Sequence, residues 1–250
     1  ITRDTVEVLL RFENDEIEVH TLSLNDILGV RGVNVYSLGY RKACDYDDMK
    51  LVVDRNVNSA ALHHSCAMLH TYNKYKDFAA ANGFLMPERK LLVWLGREAP
   101  ISTSYAAPML QNMTQQNLSN PVQLLVNLFG FPQNLAQSMA NTLKNELPDI
   151  YAPFYNRYSR YARASFIETN FHELSHASHF AKVGPEFWLP YVEYSYGNGG
   201  YGGDSLANSG IVSLSEAWAE DLSNIGLYYI YGKNSYLALN ENTTVNWIPY

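Results

Sequence analysis

The residues best suited to do chemistry are His172-Glu173-Leu174-Ser175-His176, two histidines four apart with a glutamate beside the first. On an α-helix, at about 100° per residue, the two imidazoles stand roughly 40° apart on one face and one turn apart along the axis. Both can reach a single ion at the roughly 2.0–2.1 Å that a Zn–N bond requires. Glu173 is too close in sequence to be a comfortable third ligand, but it is well placed to accept a proton from water activated by the ion. The expected cofactor is one catalytic Zn2+, with His172 and His176 among its ligands and Glu173 as the catalytic base.

A catalytic zinc needs a third protein ligand. The extended pattern H-E-x-x-H-x-x-G-x-x-H would supply a histidine six residues after the second one. Here position 179 is His where Gly is expected, and position 182 is Lys, so a three-histidine site is excluded. A carboxylate from a later helix remains, and Ser215-Glu216-Ala217-Trp218-Ala219-Glu220 offers two of them four apart. One of the two can face the metal, with Asp204 and Asp221 as outside choices. Glu216 also has a purely structural reading. Ser213-Leu214-Ser215-Glu216 has the form of a capping box, in which the glutamate reaches back to the backbone N–H of the serine.

H-E-x-x-H followed on a separate helix by Glu216-Ala217-Trp218-Ala219-Glu220 resembles the gluzincin branch of the zincin metallopeptidases, with thermolysin as the best-known relative. The resemblance covers the two motif helices, and the helix-then-strand order of Asn58 to Leu95 is similar to the upper lobe of such enzymes. It implies an α+β, zincin-like catalytic domain with a mixed sheet-and-helix upper lobe and a mainly helical lower lobe. It also implies Glu216 as third zinc ligand and Glu220 as the acid that supports a ligating histidine, where the family pattern has Asp. The implied activity is hydrolysis of peptide bonds in a peptide or protein substrate, with Glu173 passing its proton to the leaving amine. The same metal chemistry would serve a non-peptide amide or ester, and a zincin-like fold can also persist as an inactive binding module. The intact Glu173 speaks against that last reading.

Other residues could serve the same site. His179 lies about 20° from His172 around the helix but roughly 10 Å further along it, too far to share the ion. It is read either as a group that supports a ligand or lines the cleft, or as ordinary packing. An oxyanion formed on a carbonyl needs a donor, yet no His follows His179 and no Arg follows Arg163. Tyr191, Tyr194, Tyr196 and Tyr201 are available, and some gluzincins use a tyrosine in this role; Tyr194 and Tyr196 are the favoured candidates. His63, His64 and His70 fall on another helix and read as structural.

These residues need elements to hold them. Periodicity predicts a helix from near Phe166 to Lys182, stopped by Gly184-Pro185, and a second from about Ser213 to Tyr229. Between them Tyr196 to Gly210 is glycine-rich and suits a movable wall or lid; without a Gly-Lys-Ser/Thr ending it is no phosphate-binding loop. Upstream, Val6 to Phe12 and Glu16 to Leu22 predict a hairpin around Asn14-Asp15, with weaker strands at Val33 to Leu38 and Leu51 to Val53. Asn58 to Ala81 reads as a helix closed by Asn82-Gly83, and Leu91 to Leu95 as a short buried strand. The stretch from Ala106 to Arg163 is broken by five prolines, with Gln133 to Leu147 as its clearest helix. An extended substrate would add to an exposed strand edge, for which Leu91 to Leu95 and Ser102 to Ala106 are candidates.

The bulk numbers set the outer bounds. With 250 residues, 47% hydrophobic and 17% charged, the chain is a folded globular protein of one large or two modest domains. The expected division is a strand-rich segment over 1–50, either an accessory module or part of the upper sheet, and a catalytic domain over 51–250. A net charge of −7, from 18 basic against 25 acidic residues, argues against a nucleic-acid partner. No apolar run approaches the roughly 20 residues of a membrane span. Cys44 and Cys66 could pair, although two unlinked thiols are the plainer expectation. The 19 tyrosines, frequent asparagines and missing initiator Met suggest a piece of a longer protein in an extracellular or cell-envelope location. Oligomeric state is left open.

Overall fold

The computed structural model describes residues 5–22, 35–42, 60–96, 148–153, 160–198 and 206–240, together with Met109, Gln133, Asn134 and Gln137. The described residues form a mixed α/β arrangement of small sheets and four helices. In chain order these are β1 (Thr5–Arg11), β2 (Ile17–Leu22), β3 (Val35–Lys42), α1 (Ala60–Asn82), β4 (Leu91–Gly96), β5 (Ile150–Pro153), α2 (Arg160–Val183), α3 (Pro185–Gly197) and α4 (Ser209–Asn240). The chain divides into two compact units, Ile1–His70 with Pro87–Phe154, and Thr71–Met86 with Tyr155–Tyr250.

In the first unit the turn at Asn14 closes only a short hairpin, in which the Val19 N–H donates to the Phe12 carbonyl at 2.8 Å and the Asn14 N–H to the Ile17 carbonyl at 2.9 Å. The Asn14 side-chain oxygen accepts from the backbone N–H of Glu16 and Ile17 at 2.8 and 2.9 Å, an Asx turn. One antiparallel bridge, Glu13 to Glu18, follows it. The two strands then part: β1 pairs antiparallel with β3, and β2 pairs parallel with β4. Burial accounts for the separation. Ile17 and Val19 of β2 are fully buried while β1 is largely exposed, so the two strands serve different surfaces.

β4 is the centre of the order β2-β4-β5, parallel to both neighbours. That explains its unbroken Leu91-Leu92-Val93-Trp94-Leu95 run, all buried, since a strand covered on both faces has no polar side. It also removes one expectation. A strand paired on both sides offers no edge, so Leu91–Leu95 cannot take a substrate strand. Ser102 to Ala106, Leu51 to Val53 and most of the Gln133 to Leu147 helix lie outside the described residues, although Gln133, Asn134 and Gln137 are helical. Cys66 is half-buried on α1, while Cys44 lies outside the described residues.

The second unit carries the motif helices. α2 and α4 make the most extensive helix pairing, and α3 packs on both. Their shared core is aromatic: Phe171 of α2 meets Tyr75 and Phe78 of α1 with ring centroids 5.1 and 6.2 Å apart, and Phe78 also meets Tyr229 of α4 at 5.6 Å. At Gly226 of α4 the backbone comes so close to the Phe171 ring that a Cβ would overlap it. α2 begins six residues before the expected Phe166, because Arg160 to Ser165 contains no helix breaker. α4 likewise runs beyond Tyr229 through Gly232, a residue that weakens a helix by about 1 kcal/mol without ending it.

The helix α3 is absent from the sequence reading. Gly184, at φ 79°, ends α2, and Pro185 at once occupies the first position of α3, where its missing N–H costs nothing. Pro190 inside α3 hides the helical pattern in the sequence, yet it removes only one internal hydrogen bond.

Candidate metal centre

All three expected ligands converge within the second unit. His172 and His176 project from α2 one turn apart, with their Nε2 atoms 3.1 Å from one another. Glu216 reaches across from α4, its Oε2 3.2 Å from His172 Nε2 and its Oε1 3.4 Å from His176 Nε2. Among the described residues this is the group of His, Cys, Asp and Glu side chains able to hold a metal ion. Four ligands placed tetrahedrally at about 2.05 Å from an ion stand about 3.3 Å from one another, by simple trigonometry. The two imidazole nitrogens, 3.1 Å apart, and Glu216 Oε2, 3.2 Å from His172 Nε2, fit that spacing, and with one atom taken from each residue all three lie within 4.8 Å of one another. The donor set fits as well, two imidazoles and one carboxylate being ligands that suit zinc.

The structural reading of Glu216 fails. α4 starts at Ser209, so Ser213 lies inside the helix, and its hydroxyl donates back to the Ser209 carbonyl at 3.1 Å. No capping box is formed. One turn on, Glu220 Oε2 lies 3.7 Å from His172 Nδ1, beyond hydrogen-bond length but close enough for electrostatic support of the imidazole. Asp221 is exposed, and Asp204 lies outside the described residues.

The electrostatics follow from burial and mutual contact. Burial works to raise the Glu216 pKa, but hydrogen bonds from His172, His176 and Tyr191 hold it well below the usual carboxylate range. For His172 burial works to lower the pKa, and the contacts with Glu216 and Glu220 overcome it, raising it to about 10. Deeper in the fold, burial prevails and His176 is shifted down. Glu173 is 3% exposed. Burial, opposed by the charge of His172 and assisted by that of Glu216, pushes its pKa up to about 8. Its Oε2 is buried without a hydrogen-bond partner. An unsatisfied carboxylate oxygen is costly in a folded interior and calls for a proton, a water or another polar partner.

His179 is not part of the ligand group. It sits in an aromatic enclosure, with ring centroids 4.9 Å from Phe187, 5.7 Å from Trp188 and 5.6 Å from Trp218. Burial, reinforced by His176, lowers its pKa to about 4, so it is a neutral packing residue at ordinary pH. Tyr194 is buried on α3, and the side chain of Tyr196 lies outside the described residues, as does Tyr201. Tyr191 donates its hydroxyl to Glu216 Oε1 at 2.8 Å. Its selection was readable only with α3 in hand, where Trp188 and Tyr191 fall three apart on one face.

No protein family, curated protein or solved structure compared with the chain matches it.

Proposed function

We propose that the chain is a zinc-dependent hydrolase of the gluzincin kind acting on peptide bonds in a peptide or protein substrate. The observation that carries this reading is the convergence of His172, His176 and Glu216, with one donor atom from each within 4.8 Å of the others, and the buried carboxyl of Glu173, which feels the charges of His172 and Glu216. His172, on giving up the proton it holds without metal, would bind the ion together with His176 and Glu216, two imidazole nitrogens and one carboxylate leaving it a net positive charge. When bound, zinc would supply Lewis-acid polarisation of an acyl oxygen and acidify water at neutral pH.

The remaining chemistry belongs to the chain. Glu173 takes up the proton released as water adds to the carbonyl, then gives it to the departing amine. Its surroundings suit a group that must hold a proton and release it, because burial brings its affinity for protons close to neutrality. Glu220 steadies the His172 ring from the side away from Glu216. A binding module that had lost catalysis would have no need of a general base at this position.

The test is metal analysis together with the Glu173→Gln variant, assayed on a peptide library and on small amide and ester substrates. Close to one zinc per chain in both proteins is expected, with hydrolysis reduced by about 100-fold to 10,000-fold in the variant. Hydrolysis retained by Glu173→Gln would refute the assigned base, and zinc-free protein from chelator-free purification would refute the metal site.

A further inference from the structure

A glutamate carboxylate sits at the end of three rotatable bonds, and the last of them is broad and roughly two-fold. The chain of Glu216 alone therefore does not orient its own oxygens toward an ion. In the structure the orientation is set from outside. Oε1 accepts from the Tyr191 hydroxyl at 2.8 Å, which is shorter than the 3.2 and 3.4 Å contacts with the two histidines. The donor is a neutral phenol, so it holds the carboxylate without cancelling the negative charge that a cation needs.

The phenol is itself held. Tyr191 is 5% exposed, its ring centroid 4.7 Å from that of Trp188 and 6.3 Å from that of His176. Trp188 is fully buried and packs against His176 at 5.5 Å. One aromatic stack on α3 therefore touches a ligand from each motif helix, His176 through ring contact and Glu216 through the hydroxyl. We propose that Tyr191 is a positioning residue for the metal centre, fixing the orientation of Glu216 so that metal affinity and coordination geometry depend on a hydroxyl outside the ligand set. This rests on the reading of His172, His176 and Glu216 as metal ligands.

Outer partners of this type typically contribute a factor of ten to a hundred in metal affinity. The experiment compares wild type with Tyr191→Phe, which keeps the ring that packs on Trp188 and removes only the hydroxyl. Zn2+ affinity is measured by competition with a chromophoric chelator, the visible spectrum is recorded with Co2+ in place of zinc, and melting temperature is measured on metal-free protein. The expected result is Zn2+ affinity weaker by about tenfold to a hundredfold, an altered Co2+ spectrum and a metal-free melting temperature lowered by no more than the few degrees that one lost hydrogen bond entails. Unchanged affinity and spectrum would overturn the positioning role, as would an affinity loss that merely follows a larger fall in metal-free melting temperature. Wild-type protein that takes up neither Zn2+ nor Co2+ would instead overturn the metal site on which the proposal rests.

Discussion

Two helices of this protein each carry three histidines, and only one of them builds a site. On α1, His64 is buried with Nδ1 2.7 Å from the Ala60 carbonyl, one turn back on its own helix, and His70 is exposed. His63 stands beside His64, with ring centroids 5.7 Å apart. On α2, His172 and His176 share a face with a four-residue spacing, and α4 presents Glu216 to both. The number of imidazoles is the same. The difference lies in a carboxylate from a second helix and a third helix that braces it. A local motif supplies two ligands, and tertiary packing supplies the third.

Substitutions can break or sharpen this contrast. The largest effect is expected from the ligands: His176→Ala should abolish stoichiometric zinc binding, whereas His70→Ala should leave zinc per chain unchanged by elemental analysis. Equal loss in both variants would mean that α1 also holds metal. A smaller effect concerns His179, which belongs to α2 but packs as the α1 histidines do. Its folded pKa is depressed from 6.5 to about 4. The fold therefore favours the neutral ring, and the stabilisation is present above pH 6.5 and lost as pH falls through that window toward 4. In thermal melts of metal-free protein, His179→Gln should lose less stability than wild type between pH 6.5 and 4, and parallel curves would show that His179 does not titrate with folding. The smallest effect is expected at Glu220, whose side chain is 60% exposed. Glu220→Gln should weaken zinc affinity by about tenfold or less, and a loss as large as that of Glu216→Gln in the same chelator competition would make Glu220 a ligand.

What could be read from the sequence follows the range of each interaction. His172, Glu173 and His176 were legible because their geometry is fixed within one helical turn. The Lys at position 182 left a carboxylate of the second helical motif to complete the site, and the resemblance singled out Glu216 over Glu220, but its competition with the capping box depended on where α4 begins. The three-residue spacing of Trp188 and Tyr191 was hidden, because Pro190 and the Gly184-Pro185 stop interrupt the helical pattern that would have joined them. Strand pairing was the least accessible. Asn14-Asp15 does turn the chain, yet which strand lies beside β2 is decided by burial of Ile17 and Val19 in a sheet whose centre, β4, begins at residue 91. No comparison of adjacent segments contains that information.

The contact at Gly226 gives the site a vulnerability at a distance. Phe171, which fills the space left by the missing side chain, is the residue immediately before His172. Gly226 lies ten residues beyond Glu216 on the same helix, roughly 15 Å along its axis. Position 226 thus works as a gauge block between the two ligand-bearing helices. A methyl group added there would press on Phe171, and the displacement would reach the gap that an ion must bridge. A screen for variants that lose metal without touching a ligand should find this glycine early.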